Sequence, residues 1–187
     1  MAEKSTTPTE ALTRRASVEQ RLAALEAEQA RLRRELAELG GAVRLPGLYL
    51  TLEAAGAVAL LPSEAVQEVV RLVAIDPLPG APAHVSGTFV YRGTPAVVVD
   101  LARLLGVRRE PELDAHLVVL RGQRAVALLV DGVRDLVEAP LLVDAAPEGA
   151  GRTAWDASGL MAGLCSTTDG VRPLLRTTVL LAAPGVP

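Results

Sequence analysis

The side chains able to do chemistry are few and far apart. His84 and His116 are the only histidines. They lie about thirty residues apart, and neither has a Cys, Asp or Glu at metal-ligand spacing. Cys165 is the single cysteine, so it has no disulfide partner within the chain. It follows the apolar run Leu160–Leu164, which makes it a buried structural thiol rather than a nucleophile. Asp131-Gly132 and Asp169-Gly170 are turn dipeptides, not a pair of catalytic acids. There is no Gly-x-Ser-x-Gly elbow and no phosphate-binding glycine loop. This inventory supports no enzyme, no cofactor and no metal centre.

The composition narrows what remains. Half of the 187 residues are hydrophobic, enough for a sizeable core, and with only four aromatics that core must be aliphatic. The net charge of −3 argues against a general affinity for nucleic acid or anionic membrane, both of which need a basic patch. The aromatics lack the basic interleaving of a base-stacking platform. The N-terminal stretch has no apolar run of signal-peptide type, and no run of about 18 apolar residues could cross a bilayer. A soluble cytoplasmic protein is expected.

Two kinds of element must therefore carry the function. Residues 1–16 are polar, Thr-rich and interrupted by Pro8, and read as a disordered tail. Residues 17–40 contain no Pro and no internal Gly before Gly40-Gly41, with Ser17 as N-cap and Gln20 at the capping-box position. Val18, Leu22, Leu25, Gln29, Leu32, Leu36 and Leu39 alternate spacings of four and three, the 3.5-residue period of a left-handed coiled coil. With Leu22, Gln29 and Leu36 at a, Arg21 faces Glu26 and Glu28 faces Arg33 across a parallel in-register pair. A parallel homodimer is expected, with a solvated single helix or a heteromeric or antiparallel pair as alternatives, because three heptads are marginal alone.

From Val43 to Ala183 the pattern changes to short β-type runs separated by Gly and Pro. Leu48, Leu50 and Leu52 alternate with Tyr49, Thr51 and Glu53 in a half-buried strand, and Ala57–Leu61 returns after a turn at Ala54-Ala55-Gly56. Ser63 is expected to cap a short helix over 64–72, with Val66, Val69, Val70 and Val73 on its apolar face. Strands follow over 85–92 and 96–99, and Asp100 caps one turn of helix ending at Gly106. After the charged linker Val107–Asp114, strands are expected over 117–120 and 125–130 around a type II′ turn at Gly122-Gln123. A strand over 133–137, an irregular loop over 140–157 and a hairpin around Asp169-Gly170 complete the pattern. The whole is an all-β fold, two rounds of about five strands at roughly 48–106 and 115–181.

Several stretches, taken in order, resemble the chemotaxis coupling protein family, the CheW-like domains. They are Leu60-Leu61-Pro62-Ser63-Glu64-Ala65-Val66-Gln67-Glu68-Val69-Val70, then Pro77–Pro82, then Gly87 through Arg92-Gly93 to Val98-Val99-Asp100-Leu101 and Leu104-Leu105-Gly106. Gly122-Gln123-Arg124 and Leu129-Val130-Asp131-Gly132-Val133 continue the order. The resemblance implies two intertwined five-stranded SH3-like barrels and a non-catalytic adaptor. Such an adaptor bridges the cytoplasmic tip of a chemoreceptor and the regulatory domain of a histidine kinase in an extended array. It implies a receptor-facing set including Val66, Glu68, Gly87 and Arg92, with a kinase contact at Pro95.

Three departures from the family pattern stand out. The usual Asn-Leu-Arg-Gly reads Val90-Tyr91-Arg92-Gly93, Pro95 stands where an aliphatic residue is frequent, and Arg176 stands where Asp or Asn is common. The coiled coil lies outside the usual pattern. The resemblance therefore leaves a second reading, a structural connector that keeps the fold, lacks the kinase interface and links receptors or another system through its coiled coil.

Overall fold

A computed structural model of the chain describes residues 17, 18, 20–25, 27–29, 31, 32, 35, 43–143, 155 and 158–182. The chain divides into two compact units, 1–43 and 44–187. In the first, every described residue from Ser17 to Glu35 is helical and exposed, including Val18, Leu22, Leu25, Gln29 and Leu32 of the heptad. Leu36, Leu39 and the expected tail lie outside the described residues.

The second unit is mostly β. Its strands are β1 (Val43–Arg44), β2 (Leu48–Ala54), β3 (Ala57–Pro62), β4 (Val66–Arg71), β5 (Val85–Tyr91), β6 (Thr94–Asp100), β7 (His116–Leu120), β8 (Val126–Val130), β9 (Gly132–Glu138), β10 (Leu141–Val143), β11 (Met161–Thr167) and β12 (Gly170–Leu175). Two short helices accompany them, α1 (Leu101–Leu104) and α2 (Thr177–Ala182). The strands form a seven-stranded sheet, β1-β10-β11-β12-β3-β2-β9, and a five-stranded sheet, β4-β7-β8-β6-β5. Each sheet draws strands from both rounds of the sequence, so the two rounds and the two sheets do not coincide. Four pairings join the rounds: β12 with β3 through Leu174 and Leu60 and β6 with β8 over Val97–Asp100 are parallel, while β2 with β9 and β4 with β7 are antiparallel.

One aliphatic core lies between the sheets. It holds Leu50, Leu52, Leu61, Val99, Leu101, Val118, Leu120, Leu128, Trp155 and Leu180. A second core, around Phe89, Val98, Leu117, Val119 and Leu129, fills the other face of the five-stranded sheet. Strands β7 and β8 are thus buried on both faces, and their runs of Leu and Val are continuous rather than alternating. Strand β2 is likewise buried on both faces, not one, since Tyr49 and Thr51 are as enclosed as Leu50 and Leu52.

The expected helix over 64–72 is not formed. A single 3-10 turn, Ser63–Ala65, leads into strand β4, whose burial alternates residue by residue. Val66, Val69 and Val70 are β-branched and suit a strand. A bulge between Val66 and Glu68 shifts the register, so Val66 packs on the first core while Val70 packs on the second. Val69 sits at an exposed position of that alternation, and it is this exposed valine beside Val66 and Val70 that resembles the spacing of a helix face.

Gly122-Gln123 is not a type II′ turn either. Gly122 lacks the positive φ that turn requires, and the β7–β8 connection runs from Arg121 to Ala125. Helix α2 packs there instead, with Leu181 close enough to crowd any side chain at position 122. Two further differences lie near the C-terminus: β10 occupies the start of the expected loop at 140–157, and α2 follows the last hairpin. The Asp100 cap forms as the sequence reads, its carboxylate accepting the Arg103 N–H and Gly106 taking a positive φ.

Candidate functional site

The five-stranded sheet has β4 at one edge and β5 at the other, yet their side chains meet. Tyr91 Oη donates to Glu68 Oε2 at 2.6 Å, and Arg92 Nη2 donates to the same oxygen at 2.7 Å. The Arg92 guanidinium carbon lies 5.2 Å from the centre of the Tyr91 ring, in cation–π range. The sheet is curled far enough for three side chains to bridge its two ends.

Local sequence explains the placement. Strands β5 and β6 are joined through Arg92-Gly93, with Tyr91 opposite Thr94. Both turn residues have positive φ, 49° at Arg92 and 81° at Gly93, the signature of a type I′ hairpin. Asn or Gly usually occupies the first of these positions, and a long side chain there holds a sparsely populated backbone region. At this turn the Arg92 side chain is 65% exposed, and that of its partner Glu68 is 37% exposed. Phe89 supports Tyr91 from within the second core, their rings 6.2 Å apart and tilted.

Charge follows geometry. The hydrogen bond from Tyr91, then the neighbouring Arg92, hold the Glu68 carboxyl below its usual range, against a partial desolvation that opposes them. The same hydrogen bond raises the Tyr91 hydroxyl. Arg121, exposed just after β7, donates to the Val66 carbonyl and to Gln67 on β4, placing a second guanidinium on this edge.

The expected receptor-facing residues do not all present side chains. Glu68 and Arg92 come together as an ion pair, with Glu68 on a strand rather than a helix. Val66 is half-buried against the first core. Gly87 is buried at the bulge of β5, with a φ of 144°, and its bare Cα admits the Asp76 carbonyl. Asp76 and Thr88 exchange backbone hydrogen bonds across that contact. Pro95 is exposed on β6 opposite Val90, itself 70% exposed, so the hairpin tip carries a small apolar pair. Pairing with β8 begins only at Val97, which is why a proline without an N–H is tolerated at position 95.

The sequence reading did not single out Tyr91 or Arg121. Tyr91 left one trace, as the residue standing where the family motif has leucine. The remaining polar candidates are structural. Asp131 accepts the Ala55 N–H and pairs with Arg109. Cys165 is fully buried, and burial pushes its thiol up to about 11. Among the described residues no group of His, Cys, Asp or Glu could hold a metal ion, and no helix is long and apolar enough to cross a membrane.

Residues 48–184 match the CheW-like domain family. The chain belongs to that family. CheW-like proteins are non-catalytic coupling proteins, so the chain is not an enzyme. Fifteen chains of solved structures match. One is the scaffolding protein TtCheW from Thermoanaerobacter tengcongensis, with a TM-score of 0.60 and 21% identity over 76% of this chain and 92% of that one. The likeness places the two sheets of this CheW-like domain in the same fold. No curated protein matches the sequence.

Proposed function

We propose that this CheW-like domain is a cytoplasmic adaptor at chemosensory arrays. It bridges the cytoplasmic tips of methyl-accepting chemoreceptors and the regulatory domain of a histidine kinase of the CheA type. The observation that carries this reading is the Glu68–Tyr91–Arg92 cluster, in which residues from two distant motif segments converge where the two edges of the curled sheet meet. Arg92 and Glu68 form the charged part of the receptor surface, Val66 and Gly87 support it, and Pro95 with Val90 forms the patch offered to the kinase. The two rounds of strands, at roughly 48–106 and 115–181, make two intertwined five-stranded SH3-like barrels. The N-terminal helix pairs with a second copy through Val18, Leu22, Leu25, Gln29, Leu32, Leu36 and Leu39.

A second reading is favoured by Pro95 and Arg176, which depart from the family pattern on the kinase side. In it the chain joins receptors without the kinase, as a structural connector working through its helix. Sedimentation separates the two. A receptor tip fragment assembled on vesicles is spun down with the kinase regulatory domain, with and without this protein. The adaptor carries the kinase domain into the pellet; the connector pellets alone with the receptor. If the protein stays in the supernatant, both readings fail. Solution mass with and without residues 1–41 tests the helix pairing, and a monomer at micromolar concentration contradicts it.

A further inference from the structure

A hydrogen-bonded ion pair on a surface can present either of its charges, and here the third residue decides between them. Glu68 Oε2 already accepts from both the Tyr91 hydroxyl and Arg92 Nη2, so the carboxylate is drawn into the bridge between β4 and β5. Arg92 gives one nitrogen to this bond and keeps its other donors for solvent. Its flat guanidinium rests on the Tyr91 ring, which limits its rotamers and fixes the direction in which those donors point. Arg121 adds a second guanidinium beside β4. Leucine at position 91, as in the family motif, would supply neither the hydroxyl nor the aromatic face.

We infer that Tyr91 is a positioning residue that ties Glu68 to Arg92 across the two sheet edges, so that this surface offers a cation, and that the partner it fits presents a carboxylate there. The carboxylate meets Arg92, whose remaining donors stand exposed at the tip of the hairpin. Glu68 then acts through Arg92 rather than by touching the partner. The inference rests on the reading of this edge as the receptor surface for its partner, but not for the role of Tyr91 in the free protein.

The test has two arms on the full chain. In the free protein, the Glu68 carboxyl is titrated by carbon-13 NMR in the wild type and in Y91F, which keeps the ring and loses the hydroxyl. The wild-type midpoint lies below that of Y91F if Tyr91 holds Glu68; equal midpoints overturn the inference. In the second arm, affinity for a chemoreceptor tip fragment is measured by calorimetry for the wild type, Y91F, E68Q and the double variant, at low and high salt. Y91F weakens binding about fivefold, as loss of one hydrogen bond predicts. The double variant binds no more weakly than E68Q, because both changes act through one carboxylate. Wild-type binding weakens as salt rises. Additive losses in the double variant, or binding indifferent to salt, overturn the inference. A low Glu68 midpoint in a protein that does not bind the receptor fragment keeps the positioning role and overturns the receptor reading and its carboxylate partner.

Discussion

The bare Cα of Gly87 lies against the carbonyl oxygen of Asp76, in space that a Cβ would occupy. This contact lets the 75–76 backbone pair with Thr88, and so sets the line of β5 leading to Arg92. Gly87→Ala has to displace that backbone and also place a side chain at a φ of 144°. A loss of about 2–4 kcal/mol is expected, from overpacking and backbone strain together. Urea unfolding measures it. Receptor binding should fall in the same variant, because the hairpin tip moves with its strand.

At Arg92 stability and contact should part company. Asn suits the first position of a type I′ turn far better than Arg. Arg92→Asn therefore relieves strain while removing the ion pair with Glu68, which on an exposed edge is worth little. Thermal stability within about 1 kcal/mol of the wild type is expected. Binding to the receptor tip fragment should nevertheless fall at least about tenfold, as loss of a charged contact predicts. Circular dichroism melts and calorimetry on the same preparation check both halves.

The β2–β3 turn shows the same conformation with a different remedy. Ala55 and Gly56 both have positive φ, and the Ala55 N–H is held by Asp131 Oδ2 at 2.7 Å from across the fold. Asp131→Ala should cost about 1–3 kcal/mol through the unpaired N–H and the stranded Arg109. Ala55→Gly should gain about 0.5–1 kcal/mol by removing the left-handed penalty. Chemical denaturation of the two variants tests the pair of opposite signs.

Cys165 predicts an alkaline effect. Its thiol ordinarily titrates near 9 and in the fold near 11, so the native state retains a proton that the unfolded chain releases. The stabilising contribution is complete below pH 9 and is lost as pH rises towards 11. One proton limits the slope to about 1.4 kcal/mol per pH unit. Cys165→Ala should flatten the fall in urea midpoint over that window relative to the wild type. A thiol reagent should label the native protein only on unfolding.

Much of the fold could be read locally. The existence of β2 and β3, the strand pair either side of Gly93 and the Asp100 cap all rest on neighbours in sequence, whereas the second buried face of β2 and the turn at Arg92-Gly93 do not. Residues 64–72 misled because Val69 occupies an exposed position of the strand, leaving valines at 66, 69 and 70 spaced as on a helix face. The mixing of the two rounds within each sheet was out of reach, since pairings such as Leu174 with Leu60 join segments more than a hundred residues apart. At the site, Glu68 and Arg92 were legible through the family motif. The steric role of Gly87 and the bond from Tyr91 were not, because both depend on which backbone or carboxylate arrives opposite them.

On the proposed reading, the protein meets a receptor where the β4 and β5 edges come together. Reversing one charge tests it most directly. Arg92→Glu and the wild type are compared for co-sedimentation with a vesicle-assembled receptor tip fragment, with far-ultraviolet circular dichroism recorded on both. The variant should keep the β spectrum and lose receptor binding by at least about tenfold, through like-charge repulsion with Glu68 and with the partner. A folded Arg92→Glu protein that sediments with the receptor as the wild type does would contradict the account.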